Sequence, residues 1–264
     1  MGAAALATTS FPVDRALIAR LLGFDAVLEH GLDCVASRDF SFEVVSAAAQ
    51  LALTLSRFTE DMHVSVIDEF SAAKFPDSVC GTSSIMPRKK NPVVLEHLKA
   101  KASHVLAAVM SMGACVRASY LTNTLDAHRE GQAMVWTGLT ETRRAIELAR
   151  IAASSVRPNA ELLLKRARAN HSTATELADL LVRQARMDFR TAHHVAGAVV
   201  RRLMDAGLGA HEAMVDDAAR EVAGHVSGLA VEAALDPVRS VASRNVDRRH
   251  RAGRGAADGA ADAG

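Results

Sequence analysis

From Phe40 onward the apolar residues recur at helical spacing. Val44, Ala48, Leu51, Leu55, Phe58 and Met62 fall alternately four and three apart, which predicts a seam along one face of a helix reaching about Phe70. After an interruption, Leu95, Leu98, Ala102, Val105, Val109, Met112 and Val116 keep the same rhythm. A third helix is predicted from about Arg129 to Val156, with Trp136, Leu139, Ile146, Ala149 and Ala153 turned inward. Helices of this size are roughly 40 Å long at 1.5 Å per residue. Three of them cannot cover one another's apolar faces, so partners are expected, from further chain or from other subunits.

The flanking regions read differently. Met1 to Asp39 looks irregular, with a short helix at about Asp14 to Leu22. Pro158 marks a boundary. Beyond it shorter helices are predicted at about Ala160 to Ala169, Ser172 to Gln184 and Thr191 to Ala206, with a last one within His211 to Val226. Asn170-His171-Ser172 and Asp188-Phe189-Arg190 carry turn and cap signals. The expected fold class is all-α: a long-helix bundle followed by a small helical C-terminal domain. Residues 1–157 would form part of the bundle, 158–244 the small domain, and 245–264, basic and then Gly/Ala/Asp-rich, a disordered tail. No strand pattern stands out.

Composition narrows the setting. Apolar residues make up 49% of 264 and aromatics only 4%, which suits closely packed Ala-rich helices better than sheets. The formal net charge of +1 points to neither a nucleic-acid nor a membrane partner. Cys34, Cys80 and Cys115 are far apart and odd in number, which fits a reducing compartment. No apolar run has the length of a membrane span, and the opening "MGAAALATTSFPVDR" lacks the pattern of a secretory signal. A cytoplasmic protein is expected.

The interruption between the first two long helices holds the chemistry. About twenty residues between Phe70 and Pro92 show no periodicity, and loops of that length inside compact domains are usually functional or disordered. Within it, "GTSSIMPRKKNP" places Ser83 and Ser84 beside Arg88, Lys89 and Lys90, just ahead of Asn91-Pro92. Asn91 can cap a helix and Pro suits its first position. A helix start with unpaired N–H groups and three adjacent cations makes a carboxylate- or phosphate-binding corner. Taken alone, the three cations would read as a solvated basic turn.

"SSIMPRKKNP" resembles the signature loop of the fumarase/aspartase superfamily, G-S-x-x-M-x-x-K-x-N. Ser83, Met86, Lys89 and Asn91 fill four of its five fixed positions, while Thr82 stands where the family has Gly, with Gly81 one place earlier. "FPVDRALIARLLGFD", "LDCVASRDFSFEVVSAAAQLALTLSRFTEDM", "NPVVLEHLKAKASHV" and "RANHSTATELADLLVRQARMDFRTAHHVAGAVV" are similar to the argininosuccinate lyase branch, over about residues 6 to 205.

The resemblance implies a lyase that removes a proton next to a carboxylate, breaks a C–N bond and releases fumarate. It implies Ser83 as the general base, with Ser84, Lys89 and Asn91 holding the substrate. Glu96 would orient the histidine of the partner acid/base site, and Arg15 would contact substrate. Tyr120 and Arg129 lie where the family holds the amine half. There the chain departs from the family, reading "YLTNTLDAHRE" with one residue more, Arg129 in place of a Lys, and Asp126 near the place of a Gln.

Family members are nearly twice this length, carry their acid/base histidine on an upstream Thr-His segment, and build each active site from three subunits of a tetramer. The resemblance therefore implies a small dicarboxylate substrate and either a homotetramer or a complementary N-terminal half. It implies no cofactor and no metal; His97, His104, His193 and His194 have no Cys or carboxylate company at ligand spacing. The competing readings are a superfamily lyase with a different amine half, an inactive helical oligomerisation protein, and a basic-loop module for nucleic acid. The near-neutral charge and scarce aromatics count against the last.

Overall fold

A computed structural model describes residues 4–86, 89–210 and 226–244 of the chain. Arg88 of the basic loop, the helix expected within 211–226 and the tail at 245–264 lie outside the described residues. The described chain contains ten α-helices and four two-residue strands. It divides into two compact units after Pro158.

Unit 1 is built on three long helices: α3 (Asp39–Val66), α4 (Val93–Arg117) and α5 (Gln132–Ser155). Two short helices precede them, α1 (Arg15–Leu22) and α2 (Gly31–Ala36), the second inside a stretch whose sequence shows no period. Lys99 near the start of α4 reaches Glu60 (3.2 Å) and His63 (3.3 Å) near the end of α3, so those two helices run antiparallel. Ala152 near the end of α5 shares a cluster with Leu95, Val94 and Phe75, so α5 runs antiparallel to α4.

The inner face of α4 is the expected one: Leu95, Leu98, Ala102, Val105 and Met112 are buried, with Val109 and Val116 half-buried beside them. The seams of α3 and α5 keep only part of their expected positions: Ala48 and Ala149 are buried and Leu55, Phe58, Met62 and Leu139 half-buried. On α3 the buried residues are Ser41, Val45, Ala48, Ala49, Ala52 and Thr59, while Val44 and Leu51 face outward. On α5 they are Val135, Gly138, Glu141, Thr142, Ala145, Ala149 and Ala152, while Trp136, Ile146 and Ala153 face outward. The reason is close approach. Small residues let backbones come together, and dispersion contacts between helices grow as they do. At Gly138 a Cβ would stand 2.9 Å from Val45 Cγ2 and 3.0 Å from Ala108 Cβ, so the three helices meet where one has no side chain. Val44, Leu51, Trp136 and Ile146 are left on outer faces.

Unit 2 contains α6 (Ala160–Ala169), α7 (Ala174–Ala185), α8 (Phe189–Asp205), α9 (Gly228–Leu235) and α10 (Pro237–Ser243). The first three match their expected extents within a few residues; α9 and α10 are additions to the expected set. Asp188 caps α8 by accepting the Thr191 N–H at 3.0 Å, as its sequence signal predicts. Leu177, Leu181, Val199, Leu203, Val231 and Leu235 form the core. The buried Thr173 hydroxyl donates to the Leu235 carbonyl at 2.9 Å and ties the start of α7 to the end of α9.

Candidate active site

The signature loop has a structured base. After α3 the chain forms β1 (Ala73–Lys74), a 3-10 turn (Asp77–Val79), β2 (Gly81–Thr82) and β3 (Lys90–Asn91). Strand β1 pairs antiparallel with β4 (Arg157–Pro158) at the end of unit 1. Strands β2 and β3 pair antiparallel, Gly81 opposite Asn91 and Thr82 opposite Lys90. Two-residue strands carry no readable period, which is why the sequence shows only a loop. The pairing closes the loop at its foot.

This base explains the displaced glycine. A Cβ on Gly81 would lie 2.6 Å from Val93 Cγ1, so only glycine lets β2 rest on the first residue of α4. Thr82 is exposed and has no left-handed φ, so a side chain is accommodated there. The expected cap is absent. Asn91 is held in β3, α4 begins at Val93 after Pro92, and no side chain caps it. Strand pairing with Gly81 fixes Asn91 before the helix starts.

The Ser83 hydroxyl sits in a small cradle. Its Oγ accepts the backbone N–H of Ile85 at 3.3 Å and of Met86 at 3.1 Å. The Lys89 N–H donates to the Met86 carbonyl at 2.9 Å and folds the loop back on itself. Lys90 pairs with Asp77, whose hydrogen bond and charge push its ammonium above the ordinary range. A cleft of about 750 Å³ opens between the end of α3 (His63, Ile67), Phe75 and the loop residues Lys89, Lys90 and Asn91. Burial, helped by the nearby Asp77 carboxylate, pushes the Cys80 thiol in this cleft up. Ser83 is half-buried and lies outside the cleft wall, and Ser84 is exposed. Glu96 is exposed in the first turn of α4, where the helix dipole favours an acid.

The other expected residues lie elsewhere. Helix α4 rises about 36 Å from Val93 to Arg117 at 1.5 Å per residue. Tyr120, 81% exposed, follows its far end, and Arg129 is exposed on a π-helical turn (Asp126–Gly131). The start of α3 is at that end too, because Arg38 Nη2 lies 2.9 Å from His128 Nδ1 and Gln132 donates to Ser41 Oγ at 2.6 Å. Arg15 donates to the Leu28 carbonyl at 2.6 Å and approaches Cys34 Sγ at 3.5 Å, beside α2. One copy thus carries two groups: Ser83, Ser84, Lys89, Asn91 and Glu96 at one end, and Arg15, Tyr120 and Arg129 at the other. Sequence reasoning misses Arg38 and His128, which are ninety positions apart and carry no motif.

Among the described residues no helix is long and apolar enough to cross a membrane. No group of three or more His, Cys, Asp or Glu there is placed to hold a metal ion.

The architecture and the loop together define the helical lyases of the fumarase/aspartase superfamily. An EDDS lyase variant with bound fumarate superposes with a TM-score of 0.69 at 29% identity, over 91% of this chain and 49% of that one. The class II fumarase from Schistosoma mansoni shares the fold with a TM-score of 0.57 at 16% identity, over 81% and 44%. A family model described as lyase matches residues 1–107, and one described as argininosuccinate lyase C-terminal matches residues 171–242. Argininosuccinate lyase 1 of Shouchella clausii is 36% identical over 252 residues, 93% of this chain and 51% of that protein. The argininosuccinate lyase of Methanothermobacter thermautotrophicus is also 36% identical over 252 residues, covering 93% and 54%. The chain belongs to the argininosuccinate lyase family, and it spans about half the length of these curated relatives.

Proposed function

We propose that this chain supplies the signature-loop part of a carbon–nitrogen lyase that releases fumarate from an N-succinyl-type substrate. Argininosuccinate, cleaved to arginine and fumarate, is the foremost candidate. The observation that carries the reading is the Ser83 cradle. A serine hydroxyl is a poor base unless its alkoxide is stabilised, and two backbone N–H groups already point at this one.

In the reaction, Ser83 takes the proton from the carbon next to the carboxylate. The electron pair moves into that carboxylate, which then carries two negative charges. Lys89 and Asn91, just ahead of α4, and Ser84 of the loop meet this developing charge. The C–N bond breaks, its electrons leave with the amine, and the amine takes a proton from an acid. That acid is a histidine contributed by an upstream segment, with Glu96 orienting it. Arg15, Tyr120 and Arg129 contact the amine half.

The separation of the two residue groups by the length of α4 supports a site assembled from several copies. So do the exposed Phe40, Leu53, Met110 and Trp136 on the long helices. We therefore propose a homotetramer, or an assembly with a complementary N-terminal half, acting on a small dicarboxylate in the cytoplasm with no cofactor. The altered segment "YLTNTLDAHRE" favours a second reading, the same elimination with an amine other than arginine.

The test is to co-express the chain with the N-terminal half of an argininosuccinate lyase and follow fumarate absorbance. Ser83→Ala should lower turnover by about 100- to 10,000-fold without changing helix content. Turnover surviving that change would refute the base assignment. Assembly without turnover on any N-succinyl amino acid would leave an inactive helical oligomerisation protein.

A further inference from the structure

We propose that His63 is a substrate-binding donor on the α3 wall of the loop cleft, where its ring holds a carboxylate of the small dicarboxylate. Of α3 itself, His63 and Val66 line this cleft of about 750 Å³, and Ile67 follows them directly. Positions three and four apart share one helix face, so the face that carries Val66 and Ile67 to the cleft carries His63 as well. Val66, Ile67 and Phe75 make that part of the wall apolar, and His63 is the polar group set into it. Lys89 and Asn91 of the signature loop line the same cleft. An apolar wall with a few placed polar groups is the usual form of a small-molecule site, the polar groups fixing the ligand's orientation.

The His63 ring is held in one orientation and one tautomer. Lys99 Nζ on α4 lies 3.3 Å from His63 Nδ1. An ammonium can only donate, so Nδ1 accepts and the ring proton sits on Nε2. Lys99 also donates to Glu60 at 3.2 Å, one turn earlier on α3, which keeps the ammonium between the two side chains. Lys99 lies outside the cleft wall, so the ring turns its Nδ1 edge away from the cleft and its Nε2–H edge toward it. A half-buried ring fixed in this way donates to a ligand without first having to be ordered, and a hydrogen bond given to a carboxylate is a strong one. The identity of the ligand rests on the lyase reading; the placement and tautomer of the ring do not.

The test uses the full chain co-expressed with the N-terminal half, with fumarate as the probe. The ring nitrogen resonances of His63 should show the proton on Nε2, and fumarate should shift that nitrogen saturably. His63→Leu should raise KM about tenfold while kcat changes less than about threefold. His63→Gln, whose amide N–H can take the place of Nε2–H, should recover most of that loss; leucine matching or outperforming glutamine would mark a packing role and overturn the proposal. A His63 resonance that stays fixed while the Lys89 amide shifts with fumarate overturns it alone. Both staying fixed overturns it together with the lyase reading. If His63→Leu does not assemble, these wild-type resonances decide. Ser83→Ala removes turnover and should leave the fumarate shift of His63 in place, so the base assignment and the His63 site can fail separately.

Discussion

Glu141 offers the sharpest quantitative prediction. It lies mid-way along α5, 7% exposed, with its carboxylate against Lys101 (2.6 Å) and His104 (3.4 Å) of α4 and against Arg144 of its own helix. The hydrogen bond from Lys101, aided by those from His104 and Arg144, holds the carboxyl at about 2 against an ordinary 4.5, and burial opposes this only partly. A carboxyl whose folded value is depressed stabilises the fold above its unfolded value, and the contribution is lost as pH falls toward the folded one. The drop from 4.5 to about 2 corresponds to about 3 kcal/mol. His104 and Arg144 are each 57% exposed, so screening reduces this to about 2 kcal/mol. Glu141→Gln keeps the shape and removes the charge. At pH 7 the variant should be less stable by about 2 kcal/mol, and the two proteins should converge as pH falls from 4.5 toward 2. Urea unfolding at a series of pH values, followed by fluorescence of the single tryptophan, Trp136 in the same helix, measures the difference. A gap that stays constant over the whole range would refute the assignment of a charged Glu141 as the bond between α4 and α5.

Other expectations follow from particular contacts. Gly138→Val should destabilise unit 1 by about 1–3 kcal/mol through overpacking, and Val45→Ala in the same chain should recover part of the loss, both read from urea midpoints. Gly81→Val, which drives a side chain into Val93, should abolish lyase turnover in the co-expressed assembly while circular dichroism still reports the helices. Thr173→Val should lower the stability of unit 2 by about 1 kcal/mol, because the Leu235 carbonyl loses a buried donor.

Helix extents were legible because apolar residues recurring every three or four positions pay no attention to what lies on the other side of the helix. The loop was legible because its residues are contiguous: Ser83, Lys89 and Asn91 span nine positions. Which face of α3 and α5 turns inward was only partly legible: Ala48, Leu55, Met62, Leu139 and Ala149 do turn toward the core. Val44, Leu51, Trp136 and Ile146 are as apolar as any core residue, and their outward placement follows from the contact of Val45, Ala108 and Gly138. The two-residue pairing at the foot of the loop was too short to show a period.

The sequence alone determined the all-helical architecture and the signature-loop motif, since each rests on neighbours within a few turns of chain. Only the tertiary structure separated Ser83 and Lys89 from Tyr120 and Arg129 by the length of α4, and brought Arg38 to His128. Those relations depend on how three helices settle against one another. That is fixed by volume and close contact among side chains far apart in the chain, quantities that no local pattern of polar and apolar residues encodes.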